Sequence, residues 1–155
     1  MKKILEPELE IQIHRGDTVK ELVDAFYKKN GHQGQARPDD LFFLAFRNSE
    51  IMGCVRFCEE EGTAMLRTMM IDEPSRRQKI GHQLLLNFEH YLTENKIKNT
   101  YCIPYSHLED FYGLIGFNRV SDLDLPVFLQ QRIADYRAKA IETSNGKIYL
   151  CMRRP

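Results

Sequence analysis

The chain has 155 residues, 22 Lys or Arg against 22 Asp or Glu, and a formal net charge of zero. That length suits one domain, residues 1–155, which can bury about 70% of its unfolded surface and needs no disulfide or metal to fold. A nucleic-acid binder would be basic overall or carry a long basic stripe, and the one tight basic group here is short enough for a single small anion.

The opening Met-Lys-Lys-Ile-Leu-Glu-Pro-Glu has no apolar region of the signal-peptide kind, and no apolar run approaches membrane-spanning length. Cys54, Cys58, Cys102 and Cys151 lie in or beside apolar, strand-like segments without a Cys-x-x-Cys pair. They read as buried free thiols in a reducing compartment. No His is suitably spaced from a Cys pair for zinc. The expectation is a cytoplasmic protein with no metal, no membrane and no nucleic-acid partner.

Glu10 to His14 alternates apolar and polar residues and reads as a short strand. Asp17 or Thr18 can cap the helix that follows, with Glu21 at the capping-box spacing from Thr18. Val19, Leu22, Val23, Phe26 and Tyr27 give it an apolar face, and Asn30-Gly31 ends it. His32 to Asp40 is a polar loop. Leu41 to Arg47 is an apolar strand, Asn48-Ser49 a turn, and Ile51 to Cys58 the returning strand. Glu59-Glu60-Glu61-Gly62 reads as a solvated turn. Thr63 to Ile71 is the third strand of this meander.

The stretch from Thr68 to Phe88 organises the chain. An apolar strand turns through Asp72 to Ser75 and enters a helix whose Ile80, Leu84, Leu85, Phe88, Tyr91 and Leu92 recur at helical spacing. The expected first turn carries Arg76, Arg77 and Lys79, with no acid among residues 76–83. A helix N-terminus already holds about half a positive charge, so cations there weaken the helix unless an anion sits among them. Free backbone N–H groups and positive side chains together make a phosphate site, and Gly81 lets the backbone come close to such a ligand. The plainer alternative is a solvated basic helix start facing Asp72 and Glu73.

The helix closes over Glu94 to Lys98. Thr100 to Ile103 is a short strand stopped by Pro104. Ser106 can cap a short helix to about Ile115, with Glu109 at the capping-box position. Gly116 turns the chain into a strand over Phe117 to Val120. Asp124 can cap another helix starting at Leu125-Pro126, with Val127, Phe128, Leu129, Ile133 and Tyr136 on its apolar side. This helix makes a dimer contact or, by the resemblance set out below, borders the acceptor site, so the chain is read as a monomer or homodimer. Asn145-Gly146 is a turn, and Lys147 to Met152 the last strand. A three-strand meander followed by strand–helix–strand–helix–strand makes a mixed α/β sheet with helices packed on it.

Ile71-Asp72-Glu73-Pro74-Ser75-Arg76-Arg77-Gln78-Lys79-Ile80-Gly81-His82 resembles motif A of the GNAT superfamily of acyl-CoA-dependent N-acetyltransferases. That motif is a strand ending in an aliphatic residue, a Pro-containing turn, then Gln/Arg-x-x-Gly-x-Gly/Ala. Arg76 matches its first position, Ile80 the aliphatic and Gly81 the last. Lys79 stands where the family usually has its first Gly, and requires ordinary helical dihedrals there. Phe111-Tyr112-Gly113-Leu114-Ile115-Gly116-Phe117 resembles motif B, Phe-Tyr-x-x-x-Gly-Phe. By element order the resemblance covers roughly Ile11 to Val120.

The resemblance implies the GNAT fold: six to seven strands in a mixed sheet with a splayed strand pair, flanked by helices. It implies acetyl-CoA as co-substrate and transfer to a primary amine of a small molecule or peptide, by direct attack in a ternary complex. The backbone of Met69, Met70 and Ile71 would line the pantetheine and polarise the thioester carbonyl. The pyrophosphate would lie against Arg76, Arg77, Gln78, Lys79, Ile80, Gly81 and His82, mostly through amides. Tyr112 would be the general acid for the leaving thiolate. The family often has an Asn seven residues before that Tyr; here Tyr105 stands there, with Ser106 beside it as a substitute. The loop over His32 to Asp40 and the end of the first helix are candidate acceptor contacts. No base is assigned among Glu109, Asp110, His107, Glu50 and Arg67. The rival reading is a non-catalytic acyl-CoA-binding module that regulates a protein partner. Phosphate-loop nucleotide binding is poor, since neither glycine-rich fingerprint occurs.

Overall fold

The computed structural model describes residues 8–76, 79–144 and 146–155. Seven strands form one mixed sheet in the order β1-β2-β3-β4-β5-β7-β6. The strands β1 (Glu10–Arg15), β2 (Leu41–Arg47), β3 (Glu50–Glu60) and β4 (Thr63–Ile71) form an antiparallel meander. Its two tight turns, Asn48-Ser49 and Glu61-Gly62, hold both central residues at positive φ. Two-residue hairpins favour that geometry because its twist matches the strands. β4 is parallel to β5 (Thr100–Cys102), and β7 (Met152–Arg154) lies antiparallel between β5 and β6 (Asn118–Arg119).

Helices cover both faces. Phe43, Val55, Phe57 and Leu66 point to one side and pack on Ile80, Leu84, Leu85, Phe88 and Leu92 of α2 (Ile80–Glu94) and Tyr112 of α3 (Glu109–Gly113). Phe42, Leu44 and Cys54 point to the other and pack on Val23, Phe26 and Tyr27 of α1 (Gly16–Lys29). Met65 and Tyr101 share that second side with Leu129 and Ile133 of α4 (Val127–Thr143). Each fully buried Leu or Phe in these layers contributes about 1.5–3 kcal/mol. Among the described residues no helix is long and apolar enough to cross a membrane.

Several expected boundaries move. α1 starts directly off β1 at Gly16, whose N–H donates to the Asp40 carbonyl at 2.8 Å. A Cβ there would lie 1.9 Å from the Arg37 carbonyl oxygen, so only glycine admits the loop over this helix start. Neither Asp17 nor Thr18 caps α1, because the Thr18 hydroxyl donates to the Arg15 carbonyl at 2.8 Å. Leu22, expected on the apolar face, is exposed.

Ser106 caps no helix: it opens a 3-10 turn, and its N–H donates to Ile148 O. Asp124 also ends inside a 3-10 turn, which Ser121 caps by accepting from Leu123 N at 3.3 Å, and Pro126 precedes α4. Val127 is exposed rather than part of the apolar side. The last strand spans Met152–Arg154 rather than residues 147–152. Tyr149 and Leu150 instead join residues 104–105, through a Tyr105–Tyr149 bridge and Leu150 N–H to Pro104 O at 2.9 Å. Of the expected Asn145-Gly146 turn, Asn145 lies outside the described residues; Gly146 has φ 68°.

Candidate active site

β4 and β5 pair at one ladder position, Met65 opposite Tyr101. β4 runs on six residues past it, from Leu66 to Ile71, while β5 ends at Cys102 and Pro104 follows. Proline supplies no N–H to a ladder. The splayed pair leaves backbone groups of β4 without a β5 partner, and an unpaired strand edge accepts an extended ligand as it would another strand.

A cavity of about 170 Å³ fills the gap, lined by Met65, Leu66, Arg67 and Thr68 of β4 and by Cys102, Ile103 and Pro104. It reaches both faces of the sheet. Tyr112 borders it from the side of α2 and α3; Arg67, Arg132, Tyr136 and His32 border it from the side of α1 and α4.

β4 is bulged at this gap. Cys54 pairs with Met70 and Arg56 with Arg67, so two steps on β3 face three on β4. Thr68 lies in the extra step at φ 49°. A β-branched residue is strained at positive φ, by about 1–3 kcal/mol, and such strain gathers at ligand sites. The inserted residue also reverses the alternation of β4, so Leu66 and Met69 both pack toward α2. The run Leu-Arg-Thr-Met-Met has no glycine to mark a bulge; its one trace is the polar pair Arg67-Thr68 between apolar neighbours.

Beyond β4 the chain makes a 3-10 turn over Glu73–Ser75, tied by Asp72 N–H to Met52 O at 2.9 Å and by Lys29 to Asp72 at 3.3 Å. α2 then starts at Ile80, not in the basic run, so Arg76 and Lys79 precede the helix rather than occupy its first turn. Lys79 is its N-cap at φ 60°, ψ 20°, a left-handed conformation and not the helical one expected. Glycine adopts it at no steric cost, which accounts for the glycine at this place in motif A. The first intrahelical bond runs from Gln83 N–H to Lys79 O at 3.2 Å, leaving the N–H groups of Ile80, Gly81 and His82 at the helix mouth.

Arg76 is exposed, and its Nε donates to Ile71 O at 3.3 Å. Arg77 and Gln78 lie outside the described residues. His82 is exposed, and the Ile80 side chain is buried in the core. Gly81 has a packing reason beyond ligand approach: a Cβ there would sit 3.1 Å from the Phe111 ring.

Tyr112 is 5% exposed, and burial first, then nearby Cys102, push its pKa well above the usual tyrosine value. It is a protonated donor throughout the neutral range. Ser106 is half-buried away from the cavity lining. Tyr105 is enclosed by the His107 ring at 5.9 Å, the Tyr149 ring at 5.2 Å and Lys147 Nζ at 5.0 Å. Met69, Met70 and Ile71 continue β4 toward the basic turn, with the side chains of Met69 and Ile71 toward α2 and that of Met70 toward α1.

The face opposite Tyr112 is cationic. Glu60, read from sequence as part of a solvated turn, is instead nearly buried between Arg67 at 2.8 Å, Arg37 at 3.4 Å and Arg132. Burial acts to raise its pKa, but the hydrogen bond and charge of Arg132, with Arg67 and Arg37, bring it below the ordinary glutamate value. His32 is held below its usual pKa by burial and by Arg56 and Arg67, so it is neutral at pH 7. Its Nδ1 accepts the Gly34 N–H at 2.9 Å, which leaves Nε2–H as a donor. No carboxylate lines the cavity among the described residues. Of the base candidates, Glu109 is paired with Arg119 at 2.9 Å, while Glu50, His107 and Asp110 lie outside the cavity lining. Arg67, Arg132 and His32 come from three distant segments, and neither charge nor spacing marks them as neighbours.

A family model described as acetyltransferase (GNAT) domain matches residues 11–124. Escherichia coli ElaA superposes with a TM-score of 0.67 at 18% identity, over 96% of this chain and 100% of that one. An acyl-CoA N-acyltransferase from Pseudomonas aeruginosa gives 0.68 at 16% identity, over 96% and 100%. The ribosomal-protein-S18-alanine N-acetyltransferase of Escherichia coli gives 0.64 at 16%, over 94% of each chain. At these identities the likeness is one of fold. No curated protein matches the chain in sequence.

Proposed function

The chain belongs to the GNAT acetyltransferase family, and from that premise we propose that it moves an acetyl group from acetyl-CoA to the amine of a small molecule or peptide, by direct attack in a ternary complex. The observation that carries this reading is the gap between β4 and β5, whose cavity joins Tyr112 on one face to an open polar mouth on the other. The pantetheine arm pairs with the free edge of β4 from Leu66 to Ile71. Its diphosphate lies at the basic turn, held by the amides of Lys79, Ile80, Gly81 and His82 and by the charge of Arg76, with Arg77 and Gln78 in the same run.

The thioester carbonyl sits at the Thr68 bulge, where a backbone N–H polarises it. The amine nitrogen attacks the carbonyl carbon, the N–C bond forms, and the C–S bond breaks toward Tyr112. A thiol of ordinary pKa near 8.5 is a stronger acid than buried Tyr112. Tyr112 therefore stabilises the departing thiolate by a hydrogen bond and keeps its proton at equilibrium. Because the cavity has no carboxylate, and His32 Nδ1 is engaged by Gly34, the ammonium loses one proton to water before attack, and the attacking nitrogen gives up a second to water as the amide forms and the thiolate leaves. Positioning supplies much of the rate.

The same lack of a base favours the rival reading, a module that binds acyl-CoA without turnover. Thiol release from acetyl-CoA across an amine panel, with mass detection of the acetylated product, separates the two. Acetyl-CoA binding together with product from at least one amine supports transfer. Binding with no product from any amine overturns it.

A further inference from the structure

We propose that the mouth of the cavity opposite Tyr112 recognises a carboxylate carried by the amine substrate, gripped by Arg67 and Arg132. This rests on the reading that the cavity receives the acceptor amine. Three guanidiniums, Arg37, Arg67 and Arg132, converge on the single carboxylate of Glu60, an excess of two positive charges (3 − 1). The Arg37 side chain is 52% exposed, and water screens it. Those of Arg67 and Arg132 are 29% and 25% exposed and border the cavity, whose lining holds no Asp or Glu.

Each of these two arginines gives Glu60 one terminal nitrogen, Nη1 of Arg67 and Nη2 of Arg132. The other terminal nitrogen of Arg132 meets only Met65 Sδ, a weak acceptor at 3.8 Å that a second anion can displace, and Arg67 keeps the rest of its fork for the same anion. Glu60 is thus a positioning residue. It fixes two forks side by side without neutralising them, and the Phe128 ring, 5.6 Å from the Arg132 guanidinium, steadies one of them. Tyr136 and His32 bring further polar groups to the same mouth. An acceptor whose only charge is an ammonium is repelled there. One that carries a carboxylate beside its amine is attracted, and the two forks fit that group.

The test uses matched acceptors: free amino acids, their carboxamides and their decarboxylated amines, with short peptides starting in Asp or Glu set against their Asn or Gln counterparts. Thiol release is measured for each, and so is thermal stabilisation of the CoA-saturated protein. The acid is expected to exceed its neutral partner by roughly 10- to 100-fold in kcat/KM and to stabilise the complex where the carboxamide does not. The free amino acid arm or the peptide arm identifies which kind of acceptor brings the carboxylate. Arg132→Gln removes most of the preference and Arg132→Lys restores part, with acetyl-CoA binding as the check on folding. Equal use of acid and carboxamide overturns the proposal, as does a preference that survives Arg132→Gln. Turnover of neutral amines alone overturns it while leaving acetyl transfer standing. Stabilisation by acids without any thiol release supports the carboxylate site and counts against transfer.

Discussion

Met65 faces Tyr101 across the one ladder position that β4 and β5 share. Past it the strands part, so the sheet holds an opening with a free strand edge on one side and Tyr112 beneath it. The bulge at Thr68 lies on that edge. Opening, bulge and basic turn follow one another along residues 65–82, and the proposed chemistry follows the same order.

Arg76→Glu places an acid where the diphosphate is expected. Acetyl-CoA affinity should fall at least about tenfold, since a charge-assisted contact becomes a repulsion. The structural loss is small, because Arg76 is exposed and its Nε bonds the Ile71 carbonyl at 3.3 Å. Titration calorimetry reads it, and an unchanged dissociation constant would remove the anion site.

Lys79 holds a left-handed conformation at φ 60°, which costs a non-glycine residue about 1–2 kcal/mol. Lys79→Gly should relieve part of that strain and raise unfolding stability by up to about 1 kcal/mol, while acetyl-CoA affinity changes less than with Arg76→Glu. A urea melt showing a clear loss of stability would mean that the Lys79 side chain supports the turn.

Tyr112→Phe should lower kcat by about 10- to 100-fold, the range of one hydrogen bond to a charged group, and spare acetyl-CoA binding. Because the Tyr112 pKa is raised, its phenol stays protonated as pH climbs. Activity should therefore rise with pH toward the acceptor amine's own pKa and show no fall below about pH 10, the free tyrosine value. Wild-type kinetics in the Tyr112→Phe variant would reassign the ring to packing on Phe117, 6.2 Å away.

Glu60→Gln leaves three guanidiniums around a neutral amide, and should cost about 1–3 kcal/mol. The folded pKa of Glu60 is lowered, so its stabilisation is full above the unfolded value near 4.3 and is lost as pH falls through the folded value. Wild-type protein should then lose its advantage over the variant below about pH 4.3. Denaturation midpoints that fall in parallel for both proteins across that range would contradict the assignment.

Much of the architecture is legible before any coordinates. The helical spacing of Ile80, Leu84, Leu85, Phe88 and Leu92 marks the face of α2 that is in fact buried, and Thr63–Ile71 is bounded as read. Asn48-Ser49 and Asn30-Gly31 announce a turn and a helix end by their local chemistry. What escapes is whatever depends on distant partners. Glu60 looks like one acid in a solvated run because Arg37 and Arg132 lie 23 and 72 residues away. Thr68 and Lys79 take positive φ without a glycine to signal it, since surrounding structure holds them there. Capping boxes at Thr18 and Ser106 fail because nearby backbone groups take those residues first. Arg132 escapes because its helix, although read as bordering an acceptor site or making a dimer contact, is read through its apolar residues, Tyr136 among them.

The central claim is that acetyl-CoA occupies the opening between β4 and β5, and hydrogen exchange with and without acetyl-CoA tests it most directly. Amides of residues 66–71 and 79–82 should slow together on saturation, because the first set gains an extended partner and the second a diphosphate. Binding that protects neither set, or protects only amides outside residues 65–112, would contradict the account.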